Sequence, residues 1–262
     1  MPGAEDSLTP VLDAPRRRGR PRKTDASDSG RRSALIAAAA RHFRDKGFDA
    51  TTTRDIASAT GMRSGSPFYH FKSKNALLFA VMEEGMLAAQ RSQDAVLAAL
   101  PPGVAARDTL AALVLNHLYV LWLPGNDFVP VMHYEWRSIT PAQRRKIQGL
   151  KDAYEAPWQT VLEQLAAERR LGTNASLARS MLFSVLHGSL RWFKPEGRLR
   201  LEQLAGECLG ALVADFPRPQ AVPAADAVFD PVPLVRRVWR RGGSGRSGGP
   251  AAEPVARSPV RR

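Results

Sequence analysis

The 262-residue chain is 44% hydrophobic, enough to build a real core in one large domain or two modest ones. Its single cysteine, Cys208, excludes an internal disulfide and a cysteine-based zinc site, and no apolar run is long enough to span a bilayer. The formal charge of +13 gathers at the ends, with net +3 on residues 1–32, net +6 on residues 217–262 and only +4 on everything between, which points to a polyanion partner, nucleic acid first, or else to tails that merely keep the chain in solution.

In chain order, residues 1–32 are rich in Pro, Gly, Asp, Ser and Arg, the composition of a disordered arm. Glu5, Asp6 and prolines stand where an export signal would be basic and then apolar, so a cytoplasmic protein is expected. Within the arm, RRRGRPRK (Arg16 to Lys23) resembles an AT-hook, which would lay Arg20 and Arg22 in a narrow minor groove. The bland alternative is a solvated basic arm.

Residues 33–79 read as three short helices. Ile36, Ala39, Ala40 and Phe43 recur at helical spacing over 33–46, and Gly47 suits a left-handed cap with Phe48 folding back. Thr52 with Asp55 three residues on forms a capping-box pattern for a second helix, with Ile56 and Ala57 on its buried side. Gly61 ends that helix and a third begins near Ser64, with Pro67 in its first turn where its missing N–H costs little. Two short helices joined through a glycine turn describe a helix-turn-helix, the second lying in the major groove.

Residues 80–216 read as a helical body. Helices are expected at 74–99, 107–122, 128–138, 141–170, 174–193 and 200–215, with breaks at Pro101-Pro102-Gly103, Pro124-Gly125-Asn126 and Pro195-Glu196-Gly197. Pro157 should kink or split the fourth of these. From Pro217 to Arg262 the composition is that of a disordered tail, with Leu234, Val235, Val238 and Trp239 able to form one short amphipathic turn. The fold class is therefore all-α: a helix-turn-helix head followed by a helical body.

Gly47-Phe48, Thr52-Thr53, Asp55-Ile56-Ala57, Gly61, Gly65-Ser66, Tyr69-His70-Phe71, Lys74 and Leu77 resemble the TetR family of transcriptional regulators. The resemblance implies a homodimer, a DNA-reading head, a ligand-sensing body, and release from double-stranded DNA when a small molecule binds. Two departures stand out: Arg63 occupies the usual serine cap position, shifting the cap to Ser64, and Pro67-Phe68 replaces the more usual Leu-Tyr. Arg63, Ser64, Ser66 and Tyr69 are then placed to touch DNA in or beside the groove, Arg63 on guanine or on phosphate. Thr53 and Lys74 would hold phosphates on either side. His70 and Phe71 would pack the head, and Phe43 and Ile56 its core.

For the body, His117, Trp122, His133, Trp136, Tyr154 and Trp158 are the candidate effector-binding residues, with Asn116, Tyr119 and Tyr134 completing a polar-aromatic set. Aromatics at helical spacing also serve as plain core. Pro124-Gly125-Asn126-Asp127-Phe128, Tyr134-Glu135-Trp136-Arg137 and Trp192-Phe193-Lys194-Pro195-Glu196-Gly197-Arg198-Leu199 look like a TetR branch that senses acyl-CoA thioesters from lipid or sterol breakdown. In that branch Arg137 or Arg191 would meet CoA phosphates, or else make ordinary salt bridges. Leu177, Met181, Ser184, Val185 and Gly188 form one stripe, and Leu201, Leu204, Leu209 and Leu212 another. Together they would make a four-helix dimer interface, unless they face only their own core.

A two-fold dimer predicts an inverted-repeat operator with heads roughly 34–36 Å apart. The expected mechanism is a population shift in which effector moves the 107–122 helix and tilts the 74–99 helix. The competing reading is an architectural AT-hook-type DNA binder with weak sequence preference. No nucleophile elbow, phosphate-cradling glycine loop or metal-ligand spacing points to an enzyme, a metal or a cofactor, and the five histidines (42, 70, 117, 133, 187) are scattered.

Overall fold

The computed structural model describes residues 25–61, 67–123, 125–216 and 230–243. The described residues form helices α1 (Asp25–Lys46), α2 (Thr53–Ala59), α3 (Pro67–His70), α4 (Lys74–Ala99), α5 (Ala106–Trp122), α6 (Phe128–Tyr134), α7 (Pro141–Ala167), α8 (Ala175–Trp192), α9 (Leu201–Leu212) and α10 (Pro231–Gly243), with a 3-10 turn at Trp136–Ser138. Among them there is no strand, only an isolated bridge between Leu171 and Val213. No described helix is long and apolar enough to cross a membrane.

The head is assembled by local chemistry. Gly47 adopts φ +81°, a left-handed conformation that L side chains resist, and its N–H closes on Phe43 O at 3.0 Å. Phe48 then turns back onto Phe43, ring centroids 5.5 Å apart. Thr52 caps α2 by accepting from Asp55 N–H at 3.1 Å, while Asp55 Oδ2 accepts from Thr52 N–H at 2.9 Å, the reciprocal box that the sequence spells out. Gly61 (φ +67°) ends the element. Leu35, Ala38, Ala39 and Phe43 of α1 meet Ile56, Phe71, Leu77 and Leu78 in a small apolar core.

The body wraps α5, whose side chains are buried almost all round, in α4, α7, α8 and α9. α4 belongs to both parts: its first turns close the head and its remainder runs through the body. Gln93, fully buried on α4, accepts from Trp158 Nε1–H at 2.7 Å and donates to Tyr154 O at 2.9 Å, stapling α4 to α7 with both halves of its amide satisfied.

Four expectations need correction. Residues 25–32, assigned to a disordered arm, are the first turns of α1. α7 is not split at Pro157: the burial of Ile147, Tyr154, Trp158, Val161, Leu162 and Leu165 along one face exceeds the roughly 3 kcal/mol that an interior proline costs. The α9 leucines do not all face outward, because Leu204 and Leu209 are buried in the chain's own core beside α5. Finally, a helix rises within the stretch assigned to a disordered tail. Asp230 Oδ1 accepts from Val232 N–H at 2.9 Å at its start, and Leu234, Val235, Val238 and Trp239 lie on one packed side. The sequence marks this apolar stripe, but the composition of the surrounding tail allowed it only one short turn rather than a 13-residue helix. The AT-hook-like segment lies outside the described residues.

Candidate functional site

Two regions carry function-bearing side chains. In the head, Arg63, Ser64 and Ser66 lie outside the described residues, as do Arg20 and Arg22. Tyr69, on α3, is 72% exposed, a large amphipathic ring held at the surface of the short helix. Thr53 is half-buried as the first residue of α2. His70 turns its side chain inward, toward Asp28 of α1 at 3.9 Å.

Lys74 is not a free cation. Its Nζ donates to Phe48 O (2.8 Å) and Thr51 O (3.0 Å), with Asp49 O at 3.3 Å, and sits 4.3 Å over the Phe48 ring. The expected phosphate-holding lysine therefore clasps the loop that feeds α2, fixing where α2 begins.

In the body, a cavity of about 390 Å3 including its open mouth lies among α4, α5, α6, α7 and α8. Its walls are mostly apolar, with Met86, Phe128, Met132 and Phe183 among them, and its polar groups are His117, Tyr154, His187, Lys151 and Glu155. His117 Nδ1 lies 3.0 Å from the Tyr154 hydroxyl and its Nε2 lies 3.2 Å from His187 Nε2. Burial holds His117 well below the ordinary histidine range, and its neighbour His187 adds to the effect. His187 is pushed down to about 4 by burial first, then by His133 and Lys151. Both rings are thus neutral at pH 7, and one N–H donates to the other's lone pair. Burial raises the Tyr154 hydroxyl well above its usual range, so it too stays uncharged. The result is an apolar slot with a neutral, mutually hydrogen-bonded polar trio at its wall.

Of the six candidates, His117 and Tyr154 line this cavity. Trp158 stands behind them, fully buried, its ring 5.7 Å edge-on to His117 and 4.8 Å from Phe183. Trp122 is elsewhere, donating to Ser189 Oγ at 3.1 Å and packing on Phe193 at 4.9 Å. His133 is exposed, and Trp136 is half-buried with Lys151 Nζ 5.8 Å from its ring. Arg137 and Arg191 are exposed and do not line the cavity. The reading from sequence missed Phe183 and His187, which sit four residues apart on α8 and so share a face. Their signal was masked by the more obvious 177/181/185 stripe on the same helix. Among the described residues no group of three or more His, Cys, Asp or Glu could hold a metal ion.

The segment Asp127 to Ser138 joins the two regions. Phe128, Val129 and Met132 line the cavity. Asp127 pairs with Arg44 of α1, Glu135 Oε1 accepts from Phe48 N–H at 2.9 Å, and Ser138 O accepts from Asn75 Nδ2 at 2.5 Å. A Cβ at Gly85 of α4 would run into the Phe128 ring, so α6 lies directly on the helix that carries the head.

Comparison with known proteins agrees with both regions. Residues 35–81 match the family described as bacterial regulatory proteins, tetR family, and residues 103–215 match the tetracyclin repressor-like C-terminal domain. The HTH-type transcriptional repressor KstR2 of Rhodococcus jostii (strain RHA1) is 27% identical over 202 residues, 76% of this chain and 97% of the relative. The solved structure of AibR in complex with isovaleryl coenzyme A and operator DNA is similar at TM-score 0.63 and 25% identity, covering 72% of this chain and 99% of that one. The structure of the superantigen PfiT is similar at TM-score 0.61 and 35% identity, covering 71% and 97%. The chain belongs to the TetR family of transcriptional regulators.

Proposed function

We propose that this protein is a homodimeric repressor that binds a palindromic operator and leaves it when an acyl-CoA-type or other small hydrophobic effector occupies the body cavity. The observation that carries the reading is the Asp127–Ser138 segment, which faces the cavity with Phe128, Val129 and Met132 and grips the head through Asp127, Glu135 and Ser138. An effector pressing on Phe128 and Met132 shifts this segment, and the head follows through Arg44, Phe48 and Asn75. The sequence had suggested α5 as the moving part; α6 has the more direct ties. The effector shifts the population only by binding the released form more tightly than the DNA-bound one.

A dimer is supported by the outer face of α8. Leu177, Met181 and Val185 are each about half exposed (48%, 49% and 48%) at successive helical turns, an apolar stripe that a second copy would cover. Tyr69 would meet DNA from each head, with Thr53 beside it at the start of α2 and Arg63, Ser64 and Ser66 as the remaining groove contacts. The acyl-CoA class is supported by the likeness to AibR, whose structure holds isovaleryl coenzyme A, and by the mostly apolar lining of the open-mouthed cavity. Repression is supported by the likeness to the HTH-type transcriptional repressor KstR2.

The test is a mobility-shift titration of a selected operator with acyl-CoA thioesters of increasing chain length. At least one should weaken operator binding about tenfold or more, within the usual span of allosteric coupling. Operator affinity unchanged across the series would contradict the effector assignment.

A further inference from the structure

The match to the family ends at residue 215, and α10 lies beyond it. This helix is firmly seated on α4 and α5. Val235 is fully buried against a satellite core of Val96, Ala112, Leu115 and Tyr119. Trp239 Nε1–H donates to Asn116 Oδ1 at 2.9 Å, and its ring stands edge-on to Tyr119 at 6.0 Å. Arg236 donates to Glu202 of α9 at 2.6 Å and reaches the Tyr119 hydroxyl at 3.3 Å.

α5 is therefore a wall with two sides. His117 and Val120 face the cavity, whereas Ala112, Leu115, Asn116 and Tyr119 meet α10. The fully buried Asn116 links the two sides. Its Oδ1 is held by Trp239, and its Nδ2 makes no hydrogen bond of good geometry. The amide is nevertheless close enough to the Tyr154 hydroxyl to pull against the burial that raises it. From Tyr154 the contacts run on to His117 and His187.

We propose that α10 is a cis-acting latch on the effector cavity: seated, it braces α5 from behind, and filling the cavity loosens it. The proposal rests on the reading of the cavity as the effector site. An occupant that presses on His117 and Val120 as well as on α6 pushes α5 outward, and with α10 in place that movement works against the seating of Val235 and Trp239. Coupling is reciprocal, so loosening α10 must also soften the cavity wall.

Amide hydrogen exchange on the full chain, with neither DNA nor effector, tests both directions. Val120→Trp and Ala89→Phe fill the cavity from α5 and from α4. In each, residues 231–243 should exchange about fivefold or more faster, the low end of ordinary coupling, while residues 33–61 of the head keep their protection and report that the fold is intact. Conversely, Val235→Asp should release α10 and speed exchange of residues 110–121. Trp239→Phe, which keeps the ring and loses only the N–H donor, should do so more weakly. Unchanged exchange of 231–243 in a cavity-filled variant whose head stays protected overturns the latch. So does unchanged exchange of 110–121 once 231–243 exchanges as open chain. Because neither DNA nor effector is present, failure of the repressor reading leaves this result standing, and the reverse.

Discussion

The head and the body are held together by different means. The head has a small apolar core of its own and adds to it a few polar ties, namely the Thr52–Asp55 box, the Lys74 clasp on Phe48, Asp49 and Thr51, and the links from Arg44, Phe48 and Asn75 to the Asp127–Ser138 segment. The body relies on buried area, with Trp158, Leu110, Leu113 and Leu118 fully enclosed. Polar ties at a surface can be exchanged for others at modest cost, whereas a close-packed core resists gradual deformation. A head that changes position on a body that holds its shape is what this division permits.

The sharpest break in that comparison comes from the core. Trp158→Ala should cost about 3–5 kcal/mol by removing a buried indole and leaving Gln93 Oε1 without its donor, measured as a fall in the urea midpoint. Next is acidity. The folded-state values of His117 and His187 lie below an unfolded value of about 6.5. The stability they contribute is therefore complete above about pH 6.5 and declines as pH falls, until His187 itself takes a proton at about 4. For His187 alone the loss across that window is on the order of 3 kcal/mol. Urea midpoints from pH 7 to pH 4.5 should fall less steeply in His187→Gln than in the parent chain.

Gly85→Ala sits at the border of the two regions. The added methyl meets Phe128 and should cost about 1–3 kcal/mol as overpacking, and it should also weaken operator binding by pushing α6 off α4. A variant that lost stability but kept full operator affinity would show that α6 does not set the head's position. The smallest effect on folding belongs to Tyr69→Phe. At an exposed site it should leave the melting transition within about 0.5 kcal/mol, while operator affinity falls through loss of the hydroxyl.

How much was legible follows the same division. Thr52, Asp55, Gly47 and Gly61 act on residues a few positions away, so their spacing alone gives the head. The clasp made by Lys74 was not legible, because a lysine after a recognition helix suggests phosphate and its carbonyl partners lie 23 to 26 residues back in the chain. In the cavity, the contacts that pair His117 with Tyr154 and His187 span 37 and 70 residues. No local pattern announces such pairs. Trp122, His133 and Trp136 share the composition of a pocket lining, yet their positions on α5, α6 and the following turn point them elsewhere. α10 was read as no more than one short turn for a different reason: the 13-residue helix lies within a tail of mostly Pro, Gly, Ser and Arg.

The most direct measurement is selection of bound duplexes from a random-sequence pool by the purified full-length protein. The account predicts enrichment of one inverted repeat whose half-sites lie about one helical turn apart or a multiple of it, with Tyr69→Ala failing to enrich it. A pool that stays random after repeated rounds, or enriched sequences without two-fold symmetry, would contradict it.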